Sequence, residues 1–273
     1  MAVCAPWLVP EWLPPIRMFV GLLAWLAISK LVEWARDRPR DPRTRTSRRA
    51  FLLWLSMPPK ITWPLDDAQA AQNRRQGWRR AQRGLLKASA LAALVALSML
   101  WPALHERYVL QSLWGLWICY LVFSGAMDLG TSVPMLCGLH VADIFDRPFA
   151  ATSPRDLWGK RWNLWFHGFV QREVFWPLRR RPQLALLATF VLSGVAHEYL
   201  VIAALGDTHG EMLAFFGLQG AYVWLNWRLE RDAGRWPPLV GWALNLVFLI
   251  LTAPLFLNPV LEAVPLHRLR DYL

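Results

Sequence analysis

Long apolar runs alternate with short arginine-rich connections along this chain, a pattern that predicts helices crossing a bilayer rather than a soluble fold. Six spans are expected, over about 16–34, 84–104, 109–127, 183–205, 211–229 and 236–257. The polar positions between them predict smaller elements. Residues 51–57 are apolar but too short to cross, and 66–83 read as a surface helix carrying Arg74, Arg75, Arg79, Arg80 and Arg83. Over 128–151, Gly130, Pro134 and Gly138 interrupt the apolar pattern, which predicts a re-entrant or interfacial segment rather than a span. Residues 153–181 are basic and tryptophan-rich, the pattern of an amphipathic helix lying in the interface. The expected fold class is all-α: a polytopic transmembrane helical bundle of about six spans with an amphipathic interfacial helix. No hydrophilic stretch is long enough for a second domain, so 1–273 is read as a single membrane domain.

Composition agrees with the pattern. The 273 residues are 55% hydrophobic and 18% charged, and a soluble domain of this size would be more polar. The net charge of +11 raises the question of nucleic acid, but its distribution answers it. Of the 30 Lys and Arg residues, 24 fall in 35–83, 128–182 and 228–235, which six spans place on one side of the membrane. That is the positive-inside pattern, so the basic loops are expected to face the cytoplasm and both termini the outside. The expectation is an integral multi-pass protein of a bacterial cytoplasmic membrane. Cys4, Cys119 and Cys137 show no CxxC spacing and predict no disulfide framework. No cationic region precedes the first apolar run, so that span is expected to act as its own insertion signal.

Candidate chemistry sits in the span over 183–205, which carries His197 and Glu198 near its middle. An ionisable group at that depth costs about 2.5–3.5 kcal/mol on insertion scales, so a functional role is its default reading. Ser193 lies one turn before His197 on the same face, and Gly194 allows another helix to approach closely. An imidazole, with an unperturbed pKa near 6.5, suits proton transfer at neutral pH, so His197 can serve as a general base. It can equally hydrogen-bond another helix and only hold the bundle together. Asn163 can donate to a carbonyl oxygen or be an ordinary polar position. Trp158, Trp162, Trp165 and Phe169 fall at helical spacing, an aromatic stripe suited to packing at the interface more than to holding an acyl chain. Arg155, Lys160, Arg161 and Arg172 can bind a phosphate-bearing donor or anionic headgroups. His140, His167 and His197 show no HxxxH or HxxE pairing, so no metal is expected. No GxSxG, Walker or Rossmann motif appears.

The run FDRPFAATSPRDLWGKRWNLWFHGFVQREVFWPL, Phe145 to Leu178, resembles the corresponding stretch of the wax synthase-like branch of the membrane-bound O-acyltransferases, which typically reads like FDxPxxxxSxxDFWGRRWN. Further on, Ser193-Gly-Val-Ala-His197-Glu198 is similar to that branch's S-G-x-x-H-E motif. The best-matched core is 128–205, with a looser likeness from about the second span to the sixth. The resemblance implies transfer of an acyl group from acyl-CoA to a hydroxyl within the membrane, with no bound cofactor and no metal. It implies His197 as the catalytic histidine and Asn163 as the second catalytic position. Arg161, Trp162, Trp158, Ser193 and Glu198 are implied as substrate-binding neighbours. Leu157 and Lys160 depart from the family pattern, which has an aromatic and an arginine there. The chain is also shorter than is usual in the family, which implies one or two fewer N-terminal spans. The expected partners are acyl-CoA, an alcohol or lipid hydroxyl acceptor and membrane lipids, with no nucleic acid. The alternatives are a transporter or lipid-binding protein using His197–Glu198 as a proton relay, and an inactive family member with a structural role. The acceptor stays open among long-chain alcohol, diacylglycerol, sterol and small hydroxyl compounds.

Overall fold

The computed structural model describes the chain except residues 1, 37–41, 58–59, 102–103, 105–106 and 266–273. The described residues are mostly helical, with a single two-residue strand pairing among them, Ile61–Thr62 against His140–Val141. Among the described residues five helices are long and apolar enough to cross a membrane: Pro14–Ala35, Asp67–Leu100, Tyr108–Leu136, Pro182–Leu205 and Pro238–Ala263. The expected span over 211–229 is a helix, Glu211–Ala233, but Gln219, Asn226, Arg228, Glu230 and Arg231 dilute its apolar character and it is not among the five. It packs between the Pro182–Leu205 and Pro238–Ala263 helices.

Three expectations need correction. The surface helix over 66–83 and the span from 84 are one element of 34 residues. Asp66 caps it by accepting from the Gln69 amide at 2.7 Å, and nothing in 67–100 breaks helical geometry. The segment over 128–151 is not interrupted at its start. Its first nine residues continue the Tyr108–Leu136 helix through Pro134, and the chain then turns at Gly138 (φ +92) into the strand pair. The interfacial helix over 153–181 is also interrupted. The Trp162 amide reaches back to the Leu157 carbonyl and the Trp176 amide to that of Gln171, both five residues away, so two wide turns flank the short Leu164–Val170 helix.

These interruptions split the aromatic stripe. Trp158 turns toward Phe190, Phe215 and Phe216, at 6.1, 6.4 and 6.0 Å between ring centres, while Trp165 stacks on Phe169 at 6.3 Å. One half therefore packs into the bundle. The Leu164–Val170 side faces the first helix, where Trp25 meets Phe166 and Glu33 pairs with Arg172.

Helix pairing is close where side chains are small. A Cβ on Gly84 would lie 2.8 Å from Leu129, so the Asp67–Leu100 and Tyr108–Leu136 helices could not keep their separation with anything larger. Between them lies a paired ionic cluster. Arg83 meets Asp128 at 2.5 and 2.8 Å, Lys87 reaches Asp128 and Ser124 at 2.6 Å each, and Arg80 reaches Asp143 at 2.7 Å. Arg80 also donates to the Val141 carbonyl at 3.1 Å, which ties the helix pair to the segment entering the motif. The outward faces stay apolar, with Leu86, Leu187, Leu239 and Leu251 exposed, as lipid contact requires.

Candidate functional site

His197 lies on the Pro182–Leu205 helix, where an unbroken apolar sequence lets the ring project from regular backbone. Its Nδ1 is 2.7 Å from the Ser193 carbonyl. A carbonyl oxygen carries no proton, so Nδ1–H is the donor, and in a neutral ring Nε2 is left as the acceptor. The Ser193 hydroxyl donates backwards to the Thr189 carbonyl at 3.0 Å and does not touch the ring. Phe216 lies 4.5 Å and Phe256 5.8 Å from the imidazole between ring centres. With Phe215 these rings form a wall closed by mutual contacts at 5.1, 5.3 and 6.4 Å. The wall depends on close helix approach, because a Cβ on Gly194 would lie 3.0 Å from Leu213.

Trp158 joins the wall to the motif segment. Its ring meets Phe216 on one side and Trp162 at 6.4 Å on the other. Its indole N–H donates to Gln219 Oε1 at 3.2 Å, and Gln219 Nε2 donates to the Thr252 hydroxyl at 2.9 Å. Trp158 therefore sits one ring away from His197, held by a buried hydrogen-bonded chain.

Asn163 has a left-handed backbone (φ 44, ψ 58), a conformation that asparagine tolerates better than most residues. Its Oδ1 accepts from the Phe166 amide at 3.3 Å and so caps the Leu164–Val170 helix. Capping uses the acceptor end of the carboxamide. The Nδ2 donors have no hydrogen-bond partner among the described residues. Asn163 and His197 make no hydrogen bond with each other, and a run of ring contacts from Trp162 through Trp158 and Phe216 to the imidazole links their elements.

The remaining candidates have structural engagements. Arg161 donates to Asp156 at 2.7 Å, and the Asp146 amide donates to the Arg161 carbonyl at 2.9 Å, bonds that shape the motif loop. Trp162 meets Phe145 edge-on at 5.1 Å. Glu198 is buried and turned away from His197. It accepts from the Leu213 amide at 3.1 Å and from the Thr208 hydroxyl, capping the start of the Glu211–Ala233 helix. Of the other histidines, His140 is exposed on the strand pair, and burial pushes His167 below the ordinary imidazole range. Among the described residues no three His, Cys, Asp or Glu side chains gather.

Sequence reasoning missed Phe215, Phe216, Phe256, Gln219 and Thr252. A usable signal was present, because Phe215/Phe216, Gln219, Tyr222/Val223 and Asn226 recur at helical spacing with two amides on one apolar face.

Residues 141–218 match the model of the Membrane bound O-acyl transferase family. "Probable long-chain-alcohol O-fatty-acyltransferase 7" of Arabidopsis thaliana is 35% identical over 135 residues, covering 44% of this chain and 40% of the plant protein. "Acyl-CoA--sterol O-acyltransferase 1" of the same plant is 30% identical over 136 residues, 45% of this chain and 39% of that protein. "Probable long-chain-alcohol O-fatty-acyltransferase 3" is 27% identical over 290 aligned positions, 98% of this chain and 82% of its own length. In the two higher-identity matches, the chain spans less than half of the relative's length. The apolar helices together with these likenesses make the protein a membrane-embedded, multi-pass one. The matched core, which holds both Asn163 and His197, is thus similar to the membrane bound O-acyl transferase family and, within it, to proteins named as long-chain-alcohol O-fatty-acyltransferases.

Proposed function

We propose that the protein is an acyl-CoA-dependent O-acyltransferase that esterifies a long-chain alcohol within the membrane. The carrying observation is the bond from His197 Nδ1–H to the Ser193 carbonyl, which fixes the tautomer and leaves Nε2 free to take a proton. Nε2 removes the hydroxyl proton of the alcohol as its oxygen attacks the thioester carbonyl. The tetrahedral intermediate collapses, the carbon–sulfur bond breaks, and the departing thiolate recovers the proton from the imidazolium. Ester and free CoA thiol are the products. Asn163 Nδ2, unused by its cap, donates to the donor carbonyl and to the oxyanion that develops on it. The aromatic wall of Phe215, Phe216 and Phe256 keeps water away from the ring.

The long-chain alcohol is chosen as acceptor because most of the similar proteins are named for that activity. The basic connections face the cytoplasm and meet the CoA phosphates there. The test is acyl transfer in isolated membranes, with radiolabelled palmitoyl-CoA and hexadecanol, a sterol and a diacylglycerol offered separately. Wax ester formed by wild type and absent in His197→Ala at equal expression supports the reading. Label in the sterol or diacylglycerol product alone replaces the acceptor. Equal ester from both proteins removes His197 as the base.

A further inference from the structure

The Glu211–Ala233 and Pro238–Ala263 helices form a seam with two different ends. At one end are Phe216 and Phe256, the rings beside His197. At the other is a groove of about 290 Å³ lined by Tyr222, Asn226, Leu229, Trp236, Phe248 and Leu251, among others. Between the ends lies the closed Gln219–Thr252 hydrogen bond. Asn226 and Phe216 are ten residues apart on one helix, which is about 15 Å along its axis. The groove is therefore a different place from the reaction centre.

Asn226 is the feature that calls for a ligand. Its side chain is buried, with 5% of the residue exposed, and its Oδ1 has no hydrogen-bond partner among the described residues. Leaving such a group unpaired costs about 1–3 kcal/mol, and more where the surroundings are hydrocarbon. The rest of the lining is almost wholly apolar, with Tyr222 stacked on Phe248 at 4.1 Å between ring centres. An occupant must therefore offer a polar head able to donate to Oδ1 and an apolar body. A hydroxyl fits the head, because it both donates and accepts and so satisfies a carboxamide through either end. A phosphate or carboxylate head offers no proton to Oδ1.

Depth in the membrane selects the same class. Asn226 lies within a belt of tryptophans, Trp224, Trp227, Trp236 and Trp242, with Arg228 set over the Trp224 ring at 5.7 Å and Arg231 over Trp227 at 5.5 Å. Tryptophan belts and snorkelling arginines mark headgroup level, where the hydroxyl of a fatty alcohol resides. From Leu229 the groove runs toward Tyr222 and Leu251, deeper along both helices. Its volume lies at the lower end of the range of about 300–1,000 Å³ for small-molecule sites, which suits one slender chain better than a fused ring system.

The geometry points to a binding site for a single-chain amphiphile with a terminal hydroxyl, Asn226 taking the hydroxyl and the seam holding the chain. This binding does not depend on the proposed acyl transfer, and it can be measured in a catalytically inactive protein.

The experiment uses the purified full chain in lipid nanodiscs and a hexadecanol analogue with a diazirine a few carbons from the hydroxyl. After irradiation, mass spectrometry locates the adducts. Adducts are expected within 222–229 and 244–251, suppressed by excess hexadecanol and not by hexadecane. Asn226→Leu should lower labelling there about tenfold, corresponding to about 1.4 kcal/mol for one lost hydrogen bond. Leu251→Trp, which fills the groove and leaves Asn226 intact, should lower it as well, while His197→Ala should label as wild type does. The proposal is overturned if hexadecane competes as well as hexadecanol, or if both groove variants label like wild type. It is also overturned if a sterol competes equally, or if this face yields protein–protein cross-links, in which case a second copy occupies it. Failure of acyl transfer with labelling retained would sink the enzymatic reading and leave this site standing.

Discussion

Two polar regions of this apolar protein invite comparison: the cluster around Asp128 and the surroundings of His197. In the first, every charge has an opposite partner. Asp128 takes Arg83 and Lys87, and Arg80 takes Asp143 together with the Val141 carbonyl and the Thr131 hydroxyl. In the second, one ring nitrogen is spent on a carbonyl one turn away and the other is left over among phenylalanines. A cluster whose hydrogen-bonding capacity is consumed internally fixes geometry. A group with capacity left over is equipped for chemistry or for a ligand. By that distinction Asp128, Arg80 and Glu198 fall with the scaffold, and we propose that the spare capacity of His197, Asn163 Nδ2 and Asn226 Oδ1 serves chemistry and binding.

The largest expected effect concerns His197 itself. His197→Ala should lower acyl transfer by about 10²- to 10⁴-fold at unchanged expression, measured as ester formed per folded molecule. A smaller change would move His197 to the scaffold side.

Asn163 sharpens the comparison because it does two jobs. Asn163→Gly keeps the left-handed backbone and loses only a few tenths of a kcal/mol of capping. Asn163→Ala adds about 1–2 kcal/mol of backbone cost to a cap loss of about 1 kcal/mol. If the carboxamide acts on the substrate, the glycine variant stays stable in thermal unfolding and still loses about 10²- to 10³-fold in turnover. Turnover that follows stability across the two variants would leave Asn163 as a cap alone.

Asp128→Asn should behave in the opposite way. Breaking a buried ion pair costs about 3–5 kcal/mol, reduced here to about 2–3 kcal/mol because Arg83 is half exposed. Thermal unfolding in detergent should show that loss, with activity per folded molecule unchanged. A stable but inactive variant would break the division between the two regions.

The smallest effect is expected at Glu198. Glu198→Ala leaves the Leu213 amide without its cap and should cost about 1–2 kcal/mol, while Glu198→Gln keeps an acceptor and costs less. A glutamine variant that retains its stability and loses turnover would return Glu198 to the chemistry.

What was legible in the sequence divides along physical lines. Apolar runs near bilayer length showed the long helices, because length and hydropathy are local properties. His197 was legible because an ionisable residue stands out in such a run. Glu198 stood out equally, and its capping of another helix could not be read, since Thr208 and Leu213 reach it only through the fold. The break at 157–163 was hidden because helical spacing of tryptophans says nothing about a left-handed asparagine between them. Gly130 and Pro134 suggested an interruption that packing against the Asp67–Leu100 helix overrides.

The most direct test of the central claim is the tautomer of His197. The protein labelled with ¹⁵N-histidine would be examined by NMR in lipid, with the His197 signals identified as those lost in His197→Ala. The structure predicts a proton on Nδ1 and a bare Nε2. A ring carrying its proton on Nε2 would have its acceptor nitrogen, Nδ1, against the Ser193 carbonyl instead of the alcohol and would contradict the account.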